Sequence, residues 1–291
     1  LRQALAPLLE KRKHLREQWD AKGNHSEIKE ASEKLGVVLK HLLHDFPERI
    51  RNAGFDTADN FYKLEPFVYG PKSPGHGMLC PRDGKFGASY VDALHLQDKQ
   101  SAKPATTFCS WTWKYTLEIV RSALAAWAKE SNLQEYDVSI WLCYYCNNQH
   151  RILNPLVKAN GADDLGSVFE KRLQRCRHKV VLLDRVVRPA WMTRLWCIYE
   201  AYICVLKDHD FTIILPESEK ESLAKRNIIE LKEGLKVDLS LADTNYQEDK
   251  KKITTEITEK LGGFDKVNKE VSNKLADTIL EQYKRHLRST S

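Results

Sequence analysis

Five short apolar runs alternate with amphipathic helical patterns over residues 105–241, and this alternation constrains the fold more than any other feature. Short apolar runs bounded by turn residues are typical of buried strands. Strands that alternate with helices form parallel, doubly wound sheets with right-handed crossovers. The sequence therefore predicts an α/β fold with a five-stranded parallel sheet and helices on both faces. The predicted strands are 106–110, 137–146, 179–183, 211–215 and 236–241.

The third predicted strand runs through a short loop into a helix that carries a carboxylate. This stretch, HKVVLLDRVVRPAWMTRLWCIYEAYICVL, covers residues 178–206, and Thr193 is placed to cap the helix. Glu200 then lies one to two turns into that helix. Because ligands of open α/β sheets bind where strands end and helices begin, we expect Glu200 to lie near a ligand site.

Two regions of different character precede the α/β part. Residues 1–52 have helical periodicity and predict an antiparallel helical hairpin, whose second helix begins at Ser26 and stops before Pro47. Residues 53–104 are rich in Gly, Pro and aromatic residues, which predicts an ordered, irregular segment packed on the main domain. A short strand is predicted there at 88–94. The predicted domains are therefore 1–52, 53–104 and 105–288.

The composition favours an intracellular protein that does not bind nucleic acid. The net charge is +6, and the 46 basic and 40 acidic residues are mixed along the chain rather than clustered. No apolar run is long enough for a membrane span, and no signal peptide is evident at the start. The seven cysteines are odd in number and several lie in apolar runs, which favours reduced thiols in a cytoplasmic protein. The first residue is Leu1 rather than Met, which indicates a processed chain or a fragment of a longer one.

Several motifs of the chain resemble those of Toll/interleukin-1 receptor (TIR) domains. A first strand that ends at Ser110 (TTFCS), the stretch VFEKRLQRCRHKVVLLD and the helix motif Trp-Cys-Ile-Tyr-Glu ending at Glu200 carry the resemblance over roughly residues 105–285. The segments SWTW, CPRDGKFG and LGGFDKVN are similar to TIR-like domains of uncharacterised algal and protist proteins. The resemblance implies a flavodoxin-like fold for this part of the chain.

The same resemblance implies a catalytic role for Glu200. In TIR domains that cleave NAD, the glutamate of the Trp-Cys-x-x-Glu motif is the catalytic residue, and Glu200 occupies that position. Cleavage of the nicotinamide N-glycosidic bond develops positive charge on the ribose, which a nearby carboxylate stabilises. Nicotinamide leaves as a neutral base, so a general acid is not required. NAD would be the substrate, and no cofactor is expected.

Five further residues are candidates for binding the substrate, and each has a structural alternative. Ser110 could hydrogen-bond a ribose or phosphate, or cap the following helix. Trp111 and Trp113 could stack on a base, or cover the edge of the sheet. Trp196 lies four residues before Glu200 on the same helix face and could line the site, or pack in the core. Arg188 could meet a pyrophosphate.

Other kinds of site are disfavoured by the sequence. Cys143 and Cys146 form a CxxC, but no second CxxC or His pair follows, so no metal site is expected. No Gly-rich phosphate loop and no nucleophile elbow occur in the chain.

Two functions of different classes remain open from the sequence. The chain is either an NAD-cleaving enzyme or a non-catalytic TIR-like interaction module, which would self-associate or bind other proteins as a scaffold. Nucleoside transfer is a third alternative, because related folds also break N-glycosidic bonds with a glutamate.

Overall fold

A six-stranded sheet, mixed but mostly parallel, organises the protein, so the predicted α/β class is confirmed. The structure is a computed structural model that describes residues 2–154, 167–223 and 225–290. The strands are β1 (Leu35–Val38), β2 (Ala102–Pro104), β3 (Thr107–Ser110), β4 (Ser139–Trp141), β5 (His178–Leu182) and β6 (Thr212–Ile214).

The order of the strands across the sheet is β2-β1-β4-β3-β5-β6. Strand β3 pairs in parallel with β4 on one side and with β5 on the other, and β5 pairs in parallel with β6. The chain therefore moves outward in one direction from β3 to β4 and in the opposite direction from β5 to β6. In open α/β sheets this reversal of strand order is the topological switch point, where ligands bind. Here it lies between β3 and β5, with Ser110 paired with Val181.

Strand β1 forms within the region predicted as the second helix of a hairpin, and that prediction is wrong over Leu35–Val38; helical conformation resumes at Leu39. The apolar residues of 35–39 are buried on all sides, whereas an amphipathic helix would bury one face only. Gly36 permits the close packing of this strand against its neighbours. A Cβ atom there would lie 2.9 Å from Ala105 Cβ and 2.9 Å from the carbonyl carbon of Ile140. The spacing of apolar residues in this segment is thus compatible with a helix, but the segment forms a central strand.

The predicted fifth strand, 236–241, does not form, and side chains of a helix take its place. The C-terminal helix, Phe264–Thr290, supplies Gln282, which donates to Ile213 O (2.7 Å) and accepts from Ile213 N (3.1 Å) on the free edge of β6. Farther along the helix, Ser272 accepts from Val237 N (2.8 Å) and Asn268 accepts from Leu239 N (2.9 Å). Side chains of this helix therefore provide the hydrogen-bond partners that a neighbouring strand would otherwise give to these backbone groups.

The irregular segment before β2 contains a helix where a strand was predicted at 88–94. Ser89 caps this helix, Tyr90–Gln97, by accepting a hydrogen bond from Asp92 N (3.1 Å). The Ser89-x-x-Asp92 pair is a helix-start signal that outweighs the local β-propensity. The prediction of a strand is therefore wrong here.

Helices follow β3, β5 and β6, in agreement with the predicted alternation of strands and helices. The strand predicted over 137–146 ends at Trp141, and the CxxC residues form one helical turn instead. A long polar loop is predicted over residues 147–165, and its part from 155 onward lies outside the described residues. The helix predicted over 220–231 is two short helices. The helices are α1 (Arg2–Asp20), α2 (His25–Glu33), α3 (Phe46–Asn52), α4 (Tyr90–Gln97), α5 (Leu117–Glu130), α6 (Cys143–Cys146), α7 (Gln149–Ile152), α8 (Ser167–Arg175), α9 (Leu195–Leu206), α10 (Glu217–Leu223), α11 (Ile228–Gly234), α12 (Gln247–Lys260) and α13 (Phe264–Thr290).

One hydrophobic core includes residues from all three predicted regions, among them Leu39, Phe61 and Leu182, each fully buried. Packing of the first hundred residues against the sheet thus contributes to the same core as the α/β part. Among the helices that the structure describes, none combines the length and the apolar character that crossing a bilayer requires.

The Gln282 side chain provides a test of how the edge of β6 is closed. We expect Gln282→Leu to lower the free energy of unfolding by about 2–4 kcal/mol, because two backbone groups of Ile213 lose their partners. Urea unfolding followed by circular dichroism measures the change. Lys284→Leu, an exposed position on the same helix, is the matched control and should change stability little. Equal stability of the two variants would show that the Gln282 amide does not hold this edge.

Candidate functional site

Ser110 and Glu200, ninety positions apart in sequence, form a hydrogen bond at the switch point of the sheet. Ser110 is the last residue of β3, and Glu200 lies one and a half turns into α9, the helix that follows β5. The Ser110 hydroxyl donates to Glu200 Oε2 over 2.5 Å. The carboxyl ends of two neighbouring parallel strands therefore bring together two residues predicted to belong to the site.

Trp191 completes this hydrogen-bond chain, although it is not among the site residues predicted from the sequence. Its indole Nε1–H donates to Ser110 Oγ over 3.0 Å, and the side chain is fully buried. The loop that carries it is closed by Asp184, whose Oδ1 accepts from Ala190 N over 2.9 Å. Trp191 thus orients the Ser110 hydroxyl toward Glu200. The available signal was a tryptophan in the loop between the strand and the glutamate-bearing helix.

Burial raises the pKa of Glu200 to about 8, and the hydrogen bond from Ser110 opposes this rise. Burial disfavours the charged form of a carboxyl, whereas a donor favours it. Among the described residues no lysine, arginine or histidine pairs with Glu200, so no cation compensates its desolvation. Part of the residue nevertheless remains exposed to solvent. The carboxyl is therefore largely protonated at pH 7 and acquires its charge just above neutrality.

Cysteine thiols surround the carboxyl without being activated by it. Burial, together with a smaller contribution from the Glu200 charge, raises the pKa of Cys143 to about 12, and the indole N–H groups of Trp113 and Trp111 act in the opposite direction. Burial, followed by the Glu200 charge, also raises the pKa of Cys197 well above its usual range. Thiols with such pKa values stay protonated at neutral pH and are poor nucleophiles. Glu200 is therefore the titratable group of this cluster that changes charge near physiological pH.

Trp111 and Trp113, two of the predicted site residues, follow β3 and lie next to Cys143 of this cluster. The backbone carbonyl of Trp111 accepts from Cys197 Sγ over 3.2 Å, and its side chain is buried. Its indole N–H is buried and lies next to the Cys143 thiol, whose pKa it lowers. Trp113 remains partly exposed, and its ring packs edge-on against Tyr144 with 5.0 Å between centroids. Trp113 is therefore a partly exposed ring next to Cys143 of the cluster.

Trp196 and Arg188, two other predicted site residues, make their hydrogen bonds to residues outside the Ser110–Glu200 pair. The Trp196 Nε1–H donates to Asp249 Oδ2 on α12 over 3.2 Å, and its ring packs edge-on against Tyr199. Arg188 is exposed, and its backbone N–H donates to Gly234 O over 2.8 Å. The contacts of Trp196 are those of a residue that packs two helices together. Arg188 has a φ of 50°, a left-handed conformation that the surrounding loop must maintain.

Thr193 has a different role from the helix cap predicted for it. Thr193 does not cap α9, which begins at Leu195. Its hydroxyl donates to Ala190 O over 2.8 Å in a short 3₁₀ turn. Within the parts of the chain that the structure describes, no group of three or more His, Cys, Asp or Glu side chains is arranged to hold a metal ion.

Comparisons with protein-family models, with curated proteins and with solved structures gave no significant match to this chain.

The raised pKa of Glu200 makes stability depend on pH with a defined sign. The native carboxyl binds a proton up to about pH 8, whereas an unfolded glutamate releases it near its ordinary pKa of roughly 4.3. The native state therefore holds more protons than the unfolded state in this window, and stability falls as the pH rises through it. We expect the wild type to lose about 2–4 kcal/mol more than Glu200→Gln between pH 5 and pH 8.5.

Urea unfolding of both proteins across this pH range measures the difference. Glu118→Gln removes an exposed carboxylate from α5 and is the matched control, expected to follow the wild-type curve. Parallel curves for wild type and Glu200→Gln would mean that Glu200 ionises normally.

Proposed function

We propose that this chain is a TIR-like, flavodoxin-like α/β domain that cleaves the N-glycosidic bond of NAD, with Glu200 as the catalytic residue. The observation that carries the proposal is the buried carboxyl of Glu200, held by Ser110 at the switch point without a cationic partner among the described residues. The protein would release nicotinamide and ADP-ribose. NAD serves as substrate rather than as a cofactor.

The order of the central strands supports the flavodoxin-like assignment. Numbered from β3, the strands β4-β3-β5-β6 follow the order second, first, third, fourth. This matches the flavodoxin-like order 2-1-3-4-5 up to its last strand, which is missing here because α13 closes the edge of β6. The nucleotide of such folds binds at the switch point between the first and third strands, where Ser110 and Glu200 meet.

The charge state of Glu200 suits a cationic substrate. The nicotinamide ring of NAD carries a positive charge, and the ribose gains positive charge as the C1′–N bond breaks. An opposite charge nearby stabilises the ionised form of a carboxyl and lowers its pKa. Binding of the pyridinium would therefore ionise Glu200, and the resulting carboxylate would stabilise the oxocarbenium-like transition state in a poorly solvated site.

Each residue of the hydrogen-bond chain has a defined part in the proposed reaction. The electron pair of the C1′–N bond returns to the ring nitrogen, so nicotinamide leaves neutral. Water adds to C1′, and one proton is released to solvent. Ser110 and Trp191 fix the orientation of the Glu200 carboxyl through their hydrogen bonds. Trp113 offers a partly exposed ring on which a base can stack.

The competing proposal, a non-catalytic interaction module, predicts no turnover and no dependence on Glu200. In that case the Ser110–Glu200 bond would only join β3 to α9. A single assay of nicotinamide release therefore separates the two functions.

Incubation of the purified protein with NAD tests the proposal directly. We expect nicotinamide release by the wild type and a loss of about 100-fold or more with Glu200→Gln, which keeps the shape of the side chain and removes its charge. Glu118→Gln, on the exposed face of α5, should retain wild-type activity. Absence of release at high protein concentration, including concentrations that permit self-association, would support the interaction module instead. Release unchanged in Glu200→Gln would assign catalysis to another residue.

The pH dependence of the reaction follows from the same carboxyl group. Because kcat/KM reports the ionisation of the free enzyme, it should rise with pH and level off above about pH 8, the pKa of Glu200. Ser110→Ala removes the hydrogen bond that lowers this pKa, so its profile should be displaced to higher pH. Initial rates from pH 5.5 to 9.5 measure both profiles. A flat profile, or a Ser110→Ala profile displaced to lower pH, would contradict the role given to this carboxyl.

A further inference from the structure

Helix N-termini, the usual phosphate sites of open α/β folds, are occupied at this switch point. The first backbone N–H groups of α5, which follows β3, already have partners. Leu117 N donates to Asp59 O (3.2 Å), Glu118 N donates to Thr57 O (2.9 Å), and Ile119 N donates to the capping hydroxyl of Thr116. The irregular segment before β2 thus covers the end of the helix at which a phosphate would otherwise bind.

The start of α9, on the other side of the switch point, is also engaged. Leu195 N donates to Asp243 O over 3.0 Å, and Asp243 N donates to Thr193 O over 3.0 Å. The segment around Asp243 therefore lies against the loop that leads into α9. A phosphate at this site would need a side chain to bind it.

Lys114 is placed to supply that side chain. It is an exposed residue four positions after Ser110, and its ammonium donates to Thr193 Oγ1 over 2.8 Å. This contact joins the loop after β3 to the loop before α9, so the ammonium lies across the switch point. Its partner is a neutral hydroxyl, and the described residues include no carboxylate paired with it. The neighbouring Arg194, by contrast, acts on the carboxylate of Asp243.

We propose that Lys114 binds the phosphate next to the scissile nucleoside and makes the site selective for phosphorylated nucleosides over free ones. This inference rests on the NAD cleavage proposed above and specifies the substrate class of the same site. The ammonium exchanges the Thr193 hydroxyl for a phosphate oxygen, a charge-assisted hydrogen bond that is stronger than the one it replaces. Lys114 takes no part in breaking the glycosidic bond.

Lys114→Met tests the proposal with three substrates that share one glycosidic bond: NAD, nicotinamide mononucleotide and nicotinamide riboside. The wild type should show a much lower KM for the two phosphorylated compounds than for the riboside. We expect Lys114→Met to raise KM for NAD and for the mononucleotide about 10- to 100-fold, with the effect on the riboside below threefold. The preference of the wild type should also weaken as salt increases, because salt screens the ammonium.

Two further variants separate phosphate binding from a structural effect. Lys103→Met removes an ammonium that likewise donates to an uncharged oxygen, Tyr136 O at 3.1 Å, but lies on β2 at the far edge of the sheet. It should retain the preference for phosphate. Thr193→Val breaks the bridge between the loops and leaves the ammonium in place, so it should also retain the preference. If Thr193→Val reproduced the effect of Lys114→Met, Lys114 would only be joining the loops.

Calorimetric titration keeps the inference testable if catalysis itself fails. Should the wild type release nicotinamide from none of the three compounds, the proposed reaction is wrong. Tighter binding of nicotinamide mononucleotide than of the riboside, lost in Lys114→Met, would still support Lys114 as a phosphate site. Equal binding of the two compounds, or binding of neither, would overturn it.

Discussion

Parallel pairing of β3 with strands on both sides is the constraint on which the rest of the structure depends. Because β3 lies between β4 and β5 and runs in the same direction as both, their carboxyl ends meet at one edge of the sheet. Ser110 ends β3, and the loop after β5 delivers Trp191 and then Glu200 to that edge. The direction of these strands thus determines which side chains meet at the proposed site.

The buried carboxyl of Glu200 destabilises the fold, whereas the apolar core around it stabilises the fold. An apolar side chain at this position would stabilise the fold more, yet Glu200 lies there with a raised pKa and with the Ser110 hydroxyl as its hydrogen-bond partner. Such an arrangement costs stability and is typical of functional positions, where pKa values are displaced toward neutrality. The surrounding thiols have pKa values too high to share the charge. The proposed reaction therefore depends on one carboxyl group, which its buried neighbours hold in place.

The central strands and α9 could be predicted from the sequence because apolar runs such as Val180–Leu183 have no other stable environment than a buried sheet. The proximity of Ser110 to Glu200 followed from where these strands end. Strand β1 could not be predicted, since its apolar spacing also satisfies a helix and only contacts with Ala105 and Ile140 distinguish the two. The absent fifth strand depends on Gln282, more than forty residues farther along the chain. Side-chain contacts at that separation leave no local signal in the sequence.

The position of β1 between β2 and β4 has a consequence for how this chain can be divided. Composition suggests cutting near residue 105, where the regular alternation of strands and helices begins. A fragment that starts there would lack β1, and the open side of β4 would expose unpaired backbone groups along an apolar strand. Exposed edges of this kind recruit strands from other molecules, so the fragment would tend to aggregate. The unit that can be expressed, crystallised or transplanted into another protein must therefore begin before Leu35.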